Sequence, residues 1–346
     1  MKSPEDVPSV SIVVPVHDGG ARFLRCLENL RALRPPPLEV VVVADGDTDG
    51  SARVAKEAGA RVVRLPRAQG PAAARNRGAK EAGGEVLLFV DADVAVAPDA
   101  VSLVAAAFGA DPGLAACFGS YDDEPSEPNL LSQYKNLQHH WVHQTGNDAA
   151  STFWAGCGAV RRCIFEEAGG FDERYRKPSV EDIELGYRLR RSGHSIRILK
   201  DLRATHLKRW TLRSHLEAEF FGRALPWTEL ILAEGRFIDD LNVTVKSRLS
   251  VALACLLALT APMALARHGL WPLPAVAATA LLGLNGAFYR FLVRKRGALF
   301  LAKALPWHWL HFFYSGLAFG LGLARSRLRG TAGAAPSADN IARHGG

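Results

Sequence analysis

Short runs of apolar, largely β-branched residues recur through the first hundred positions, and a segment with helical periodicity separates each run from the next. The runs lie at Val10–Val16, 39–44, Arg61–Leu65 and 85–90, and their length and composition are typical of buried strands. The helical segments between them lie at residues 22–33, 51–58 and 71–82. Strands that alternate with helices through short connections predict an α/β fold whose parallel sheet is covered on both faces.

The charge of the chain is divided unevenly. Residues 1–240 hold 30 Lys and Arg against 34 Asp and Glu, whereas residues 241–338 hold 11 Lys and Arg and no acidic residue. The basic residues of the second segment flank long apolar runs, and that arrangement favours membrane segments over a nucleic-acid-binding face. We therefore expect a large α/β domain at 1–240, a membrane region at 241–330 and a disordered tail at 331–346.

Three apolar stretches define the predicted membrane region. Residues 249–266 and 268–289 are 18 and 22 residues long without a charge, so each can cross a hydrocarbon core of roughly 30 Å. Basic residues precede the first stretch and follow the second, which predicts that both ends of this hairpin face the cytoplasm. We expect the third stretch, 297–324, to be interfacial or re-entrant, with a third span as the alternative. Buried core helices of a soluble domain are the competing interpretation.

Cysteine usage and the N-terminus indicate a reducing compartment. The five cysteines form no Cys-x-x-Cys pair, so we expect packed, reduced thiols rather than zinc ligands or disulfides. The first ten residues contain acids and prolines without an apolar core, which is not the pattern of a signal peptide. Together with the hairpin orientation, this predicts a multi-pass protein of the plasma membrane or cell inner membrane whose large domain is cytoplasmic.

Acidic residues directly follow the second and fourth predicted strands. Asp45 begins an Asp-Gly-Asp-Thr-Asp-Gly turn after the second strand, and Asp91 and Asp93 leave the end of the fourth. In open α/β sheets, ligands bind at the carboxyl ends of the strands. Two carboxylates one residue apart can hold a hard divalent cation with positions open for phosphate oxygens. The Asp45 carboxylate can accept a hydrogen bond from a base or a ribose, although the same turn also suits a helix cap.

Four further residues have the chemistry of a group-transfer site. Arg75 can face a nucleotide or diphosphate, or it can belong to a solvated basic helix face. Asp182 follows Glu181 at the start of a predicted helix, where it has the fixed position that a general base needs or simply complements the helix dipole. His206 can supply a third metal ligand, and Arg209 can meet a phosphate. Structural or membrane-surface roles would also explain these last two residues when each is considered alone.

Three histidines, His139, His140 and His143, cluster around Trp141 in a polar segment. No acid or cysteine completes a metal-ligand set with them at helical spacing. We expect this segment to form a helix that lines a sugar or acceptor cleft.

Several segments, taken in chain order, resemble the family-2 glycosyltransferases with the GT-A fold. They are SIVVPVHDGG, EVVVVADGDTDGS, RAQGPAAARNRG, LLFVDADV, GCGAVRRCIFEEAGGFDE and SVEDIELGYRLRRSGH, and they cover about residues 9–215. The resemblance implies an α/β, Rossmann-like GT-A domain and an inverting sugar transfer from a nucleotide-diphospho-sugar. The chain departs from the family at Ala44, where an acid often stands, and at Asp47, where serine is usual.

The resemblance also implies roles for individual residues. Asp45 would contact the nucleotide base, Asp91 and Asp93 would hold the diphosphate through Mn²⁺ or Mg²⁺, and Asp182 would be the general base. The complete donor-binding set expected on this basis is Pro15, Asp45, Arg75, Asp91, Asp93 and Arg209. The expected metal ligands are Asp91, Asp93 and His206.

The sequence therefore predicts the transfer of one sugar, with UDP-sugars as the default donors, to a hydroxyl of a membrane lipid or lipid-linked acceptor. A processive polysaccharide synthase is an alternative, but the Gln-x-x-Arg-Trp motif of such enzymes has become His206-Leu207-Lys208-Arg209-Trp210 here. A catalytically silent, membrane-bound nucleotide-sugar-binding protein is a second alternative. A nucleotidyltransferase would show a Gly-rich loop after the first strand, which VPVHDGG does not match.

Overall fold

A computed structural model of the chain describes residues 7–235 and 237–328. The described residues form two compact units. The first unit comprises residues 7–128 and 135–209, and the second comprises residues 129–134, 210–235 and 237–328. The predicted domain limits, 1–240 and 241–330, remain a prediction, and the expected disordered tail at 331–346 lies outside the described residues.

The first unit is built on one eight-stranded sheet with the strand order β3-β2-β1-β4-β7-β6-β8-β5. The central strands are almost entirely apolar and buried, as expected for a sheet covered on both faces. The strands are β1 (Val10–Val16), β2 (Glu39–Asp45), β3 (Arg61–Leu65), β4 (Val86–Val90), β5 (Val94–Val96), β6 (Leu114–Tyr121), β7 (Cys157–Arg161) and β8 (Ser195–His206).

Helices connect these strands and cover the sheet. The apolar stripe that the sequence predicts for the first helix is confirmed for Phe23, Leu27, Leu30 and Leu33, which are buried, but Leu24 is exposed. The helices are α1 (Gly20–Arg31), α2 (Ser51–Glu57), α3 (Pro71–Glu81), α4 (Ala100–Ala110), α5 (Leu130–Thr145), α6 (Arg162–Glu167) and α7 (Glu181–Arg191).

The sheet is mixed: six of its eight strands run parallel, as predicted, and β7 and β5 run in the opposite direction. Strands β3, β2, β1 and β4 are parallel, but β7 runs antiparallel to both of its neighbours, and β5 runs antiparallel to β8. Burial on both faces gives parallel and antiparallel strands the same apolar pattern, so periodicity does not reveal strand direction. The strands β5, β6 and β7 and the helices α4 and α6 were not predicted from the sequence.

The change of strand direction creates the edge at which the acidic residues lie. The last pair in the β4–β7 ladder is Val90 with Cys157, and the Asp91 amide then donates to the Gly156 carbonyl at 3.2 Å. On the other side, Val94 of β5 pairs with His206 at the end of β8. The end of β4, the start of β5 and the end of β8 therefore meet in one place.

The second unit is helical. One π-helical segment, Ala218–Ala224, lies between its first two helices. Its α-helices are α8 (Leu212–Glu217), α9 (Leu225–Glu234), α10 (Val245–Ala266), α11 (Pro272–Leu284), α12 (Gly286–Arg296) and α13 (Ala298–Leu328).

The three predicted membrane segments form helices of different length and shape in the structure. The first, 249–266, lies within α10, the one helix among the described residues that is by itself long and apolar enough to cross a membrane. The second, 268–289, is wrong as a single straight span, because the chain bends by 66° between α11 and α12. These two helices would make a second span only if the bent pair crosses as one unit. The third, 297–324, lies within α13, a continuous helix of 31 residues. A multi-pass arrangement is therefore not supported.

Helix α10 exposes most of its apolar surface. Only 22% of its most apolar stretch is buried, and Leu259 and Leu265 are 68% and 70% exposed. The side chains of α10 that are buried are small, and one of them, Ala254, belongs to a cluster with Leu281 and Phe312. A core helix of a soluble protein would bury its large apolar residues, and α10 does not.

One glycine on α7 is required by close packing and yields a test of the fold. A Cβ atom on Gly186 would lie 2.6 Å from the Thr152 carbonyl carbon and nearer still to the Phe153 amide nitrogen. Because both atoms belong to the backbone, we expect Gly186→Ala to lower the free energy of unfolding by about 1–3 kcal/mol. Gly83→Ala is the control, because the nearest atom to its Cβ would be Glu39 Oε1 at 3.5 Å. Equal urea midpoints for the two variants would contradict the packing described here.

Candidate active site

The two aspartates of the Asp-Ala-Asp segment lie where β4 gives way to β5. The Val94 amide donates to the Asp91 carbonyl at 3.0 Å, which closes a tight turn. The side chains of Asp91 and Asp93 are 33% and 27% exposed. Both carboxylates therefore reach solvent from a fixed backbone, as ligands for an incoming cation must.

His206, the expected third metal ligand, lies beside this turn. Its Nε2 atom is 3.9 Å from Asp93 Oδ2, and its ring stacks on Tyr121 with the ring centroids 4.5 Å apart. The position of His206 is set by its pairing with Val94, and the next amide, that of Leu207, donates to the Asp93 carbonyl at 2.8 Å. The structure thus brings together two of the three expected metal ligands.

The donor chemistry of this cluster fits a cation that is shared with a phosphate ligand. Across residues 7–235 and 237–328, no three His, Cys, Asp or Glu side chains stand together at metal-binding geometry. A closed, all-protein metal site is therefore not present in this part of the chain. Magnesium-type sites, however, take one or two carboxylates from the protein and complete their shell with substrate phosphates and water. Asp91 and Asp93, with His206 nearby, fit that second kind of site.

Arg75 connects the acidic turn to helix α7. It projects from α3, and its side chain is only 6% exposed. Its Nη2 atom donates to Asp91 Oδ1 at 2.7 Å, and its Nη1 atom donates to Glu181 Oε1 at 2.9 Å. Burial lowers the pKa of this guanidinium, but the charges of Asp91 and Glu181 more than offset that effect and hold the pKa above its ordinary value. Arg75 is therefore a permanently charged bridge inside the protein.

The two acids that begin α7 have different environments. Glu181 is buried, and its second oxygen accepts the Ser179 amide at 2.8 Å, so both of its oxygens are engaged. Asp182 is half-buried, and its Oδ2 atom accepts the Ala155 amide at 3.1 Å. Its Oδ1 atom accepts the Ile183 amide at 2.8 Å. Of the two acids, Asp182 is the one with access to solvent.

These contacts form a closed ring of hydrogen bonds, which two short stretches of backbone connect. Starting from Asp91, the ring passes through Arg75 to Glu181, along the chain to Asp182, and then to the Ala155 amide. It closes through the neighbouring Gly156 carbonyl, which accepts the Asp91 amide. The candidate metal ligand and the candidate base are thus linked by two separate routes.

Asp45 is buried beneath the turn that precedes α3. Its two carboxylate oxygens accept the amides of Gln69 at 2.7 Å and Gly70 at 2.8 Å. Gly70 has a φ of +100°, and a Cβ there would lie 2.6 Å from the Arg176 carbonyl carbon, so this turn requires glycine. Asp45 fixes the shape of the turn, and its expected contact with a nucleotide base remains a prediction.

The other two expected donor-binding residues lie away from the ring of hydrogen bonds. Pro15 is half-buried on β1 and pairs with Val43 of β2. Arg209 follows β8 with its side chain 66% exposed, and its Nη1 atom is 3.6 Å from Glu127 Oε2. The geometry neither requires nor opposes a donor contact by these residues.

The three histidines of α5 have structural contacts. His140 and His143 direct their Nδ1 atoms at the carbonyls of Tyr121 and Gly119, at 2.8 and 3.0 Å. The His139 ring packs between Tyr121 and Trp154, with centroid distances of 4.4 and 4.6 Å. The predicted helix is present, and its histidines support the aromatic layer behind His206.

One backbone segment of this site, Ala155–Gly156, was not predicted from the sequence. The Ala155 and Gly156 backbone closes the ring described above, and backbone atoms carry no residue-type signal. Asn76 holds the Gly170–Phe171 turn, donating to the Phe171 carbonyl and accepting the Phe171 amide, both at 2.8 Å. The Arg-Asn pair in the sequence predicts a loop-fixing role for Asn76, and the turn that it fixes lies 95 residues further along the chain.

Three comparisons place the chain among known proteins. The model of the glycosyl transferase family 2 matches residues 11–169. Validoxylamine A glucosyltransferase of Streptomyces hygroscopicus subsp. limoneus is 30% identical over 222 residues, which are 54% of this chain and 49% of that protein. The probable glycosyltransferase YdaM of Bacillus subtilis (strain 168) is 27% identical over 209 residues, 56% of this chain and 49% of that protein. The chain spans about half the length of the curated relatives it matches.

A solved structure supports the same architecture. The mannosyltransferase PcManGT from Pyrobaculum calidifontis, solved with GDP-Man and Mn²⁺, superposes with a TM-score of 0.56 at 19% identity. The superposition covers 90% of this chain and 87% of that one. These findings confirm the predicted fold class and the predicted class of enzyme: residues 11–169 form a glycosyltransferase family 2 domain, and the chain builds the GT-A fold.

Proposed function

We propose that the protein is an inverting, metal-dependent glycosyltransferase that moves one sugar from a nucleotide-diphospho-sugar to a hydroxyl group of a membrane lipid or lipid-linked acceptor. The observation that carries this proposal is the closed ring of hydrogen bonds. It holds Asp91, whose neighbour Asp93 reaches solvent from the same turn, and a third, separate aspartate, Asp182, at the same edge of the sheet. A transferase of this kind needs one acidic group for the diphosphate and another for the attacking hydroxyl.

Asp91 and Asp93 are the proposed holders of the divalent cation, with His206 as a further ligand. When bound, Mn²⁺ or Mg²⁺ would neutralise the charge that develops on the leaving diphosphate. Arg75 orients the Asp91 carboxylate, and the β4–β7 pairing keeps its backbone in place. The protein therefore prepares the acidic turn before any donor arrives, which lowers the reorganisation needed during the reaction.

Asp182 is the proposed general base. It would take the proton from the acceptor hydroxyl as that oxygen bonds to the anomeric carbon and the bond from that carbon to the diphosphate breaks. Displacement from the side opposite the leaving group inverts the anomeric configuration. The Ala155 amide and the helix α7 N-terminus hold the carboxylate in place, so that it does not have to be ordered during the reaction.

The nucleotide and the sugar follow from analogy and are the least specified part of the proposal. PcManGT was solved with GDP-Man, and the Streptomyces relative is named for a glucosyl transfer. We place UDP-sugars first on the strength of the family resemblance, and GDP-sugars second. Asp45 is proposed to meet the base through the turn that it stabilises.

The membrane acceptor is proposed from the second unit. Helix α10 presents large apolar side chains to its surroundings, and an apolar surface of this kind marks a membrane or partner interface. Lys246 and Arg248 lie at its start, which favours a cytoplasmic location for that end. An acceptor that resides in the membrane would then meet the enzyme at the cytoplasmic face.

Donor binding gives the first test. Calorimetry of the full chain in detergent with a panel of nucleotide sugars should show Mn²⁺-dependent binding of at least one donor. Asp93→Asn should weaken that binding by at least about 100-fold. Removal of a residue that only supports a metal ligand costs up to about 100-fold, and removal of a ligand itself should cost at least as much. Asp201→Asn, an exposed acid on β8, is the control and should bind like the wild type. Donor binding that changes neither when Mn²⁺ is removed nor in Asp93→Asn would contradict the assigned site.

Turnover gives the second test. Asp182→Asn removes the proton acceptor but keeps an oxygen for the Ala155 amide. We expect its donor affinity to be unchanged and its turnover to fall by about 10²–10⁴-fold, the usual worth of a general base. The rate of product formation is measured for the wild type, Asp182→Asn and the control Asp201→Asn. Turnover by Asp182→Asn close to that of the wild type would remove Asp182 from this role.

Membrane attachment gives the third test. The wild type should float with lipid vesicles in a density gradient. Leu256→Asp combined with Leu259→Asp should reduce the floating fraction sharply, because an aspartate near the middle of a spanning helix costs about 2.5–3.5 kcal/mol. Leu212→Asp, at an exposed leucine of α8, is the matched control. Equal flotation of all three proteins would show that α10 does not attach the chain to the membrane.

A further inference from the structure

We infer that Arg75 is a positioning residue that fixes the Asp91 carboxylate relative to the Asp182 carboxylate and does not contact the donor. This inference rests on the proposed function, because it takes Asp91 as a metal ligand and Asp182 as the base. It differs from the expectation drawn from the sequence, which placed the Arg75 guanidinium on the nucleotide or the diphosphate.

The surroundings of Arg75 bury its guanidinium and leave it little access to a ligand. Both terminal nitrogens donate to carboxylates, at 2.7 Å to Asp91 and 2.9 Å to Glu181. The guanidinium carbon lies 5.4 Å from the centre of the Phe171 ring, which covers it. The remaining Nε atom is buried and has no hydrogen-bond partner in the described part of the chain. With a side chain that is 6% exposed, Arg75 presents almost nothing to the cleft.

Arg75 reaches Asp182 through Glu181. Both oxygens of Glu181 are occupied, one by Arg75 and the other by the Ser179 amide at 2.8 Å. That arrangement fixes the first turn of α7, and Asp182 is the next residue in this turn. The Ala155 amide then orients the Asp182 carboxylate from the other side. A shift of the Arg75 guanidinium would therefore move the first turn of α7 relative to the end of β4.

The planar guanidinium is suited to this task in a way that a lysine is not. Arg75 spans two carboxylates with two nitrogens of one rigid group, whereas an ammonium is a single point charge on a flexible stem. Arg75→Lys thus keeps the charge and loses the fixed geometry. A misplacement of about 1 Å between reacting groups can lower turnover about 10²-fold. The loss should appear in kcat, since no donor contact is removed.

The test measures kcat and the affinity for UDP with Mn²⁺, and for GDP with Mn²⁺ in parallel, on the full chain in detergent. For Arg75→Lys we expect kcat to fall about 100-fold, while the Kd of the nucleoside diphosphate stays within about threefold of the wild type. Arg77→Gln is the matched control, because Arg77 lies two residues along the same helix in an exposed ion pair with Glu81. It should leave both quantities unchanged. A Kd raised tenfold or more by Arg75→Lys would show that Arg75 is a donor ligand and would overturn the inference.

A second pair of variants separates positioning from folding. Arg75→Gln leaves two carboxylates without their cation, and a lower melting temperature is expected. Combining it with Glu181→Gln removes the buried unpaired charge and should restore much of the melting temperature without restoring kcat. Recovery of kcat together with the melting temperature would reduce Arg75 to a structural residue. A wild type that transfers no sugar from any donor would instead contradict the proposed function, and the Kd comparison would still report whether Arg75 contacts the nucleoside diphosphate.

Discussion

A guanidinium that is almost fully buried cannot stand alone in a protein interior, and this constraint organises the candidate site. Moving a charge out of water costs several kcal/mol unless charged partners and good geometry compensate for it. Arg75 meets that requirement with Asp91 and Glu181, which come from the end of a central strand and the start of a distant helix. Once those partners are fixed, the residue next to each of them is fixed as well. The placement of Asp182 is thus a consequence of charge pairing as much as of fold.

The topology of the sheet supplies the rest of the arrangement. The parallel strands β2 and β4 end at one edge of the sheet, and the antiparallel strand β7 brings the Ala155–Gly156 backbone to the same edge. Strand β8 then returns so that its last residue, His206, lies beside Asp93. Acidic, basic and imidazole groups from segments far apart in the chain meet because the sheet changes strand direction at this point, the kind of position at which α/β sheets bind ligands.

The elements with a strong local signal could be predicted from the sequence. Four apolar runs bounded by turn residues predicted β1 to β4 to within one residue at each end, and the acids that follow β2 and β4 were recognised from their position alone. Strand direction was not predictable, because a fully buried strand shows the same pattern in either orientation. The partners of Arg75 were also out of reach, since Glu181 lies 106 residues further along the chain. The bend between α11 and α12 was not predicted, because the apolar composition of a segment does not show whether its helix is straight.

The central claim is that a donor diphosphate binds against the acidic turn at the end of β4, opposite the carboxylate of Asp182. A structure of the full chain with Mn²⁺ and a nucleoside diphosphate tests this most directly. We expect the cation to lie between the diphosphate and a carboxylate of Asp91 or Asp93, with Arg75 still paired to Asp91 and Glu181 and with Asp182 open to the cleft. A diphosphate bound at a different edge of the sheet, or one held directly by Arg75, would contradict it.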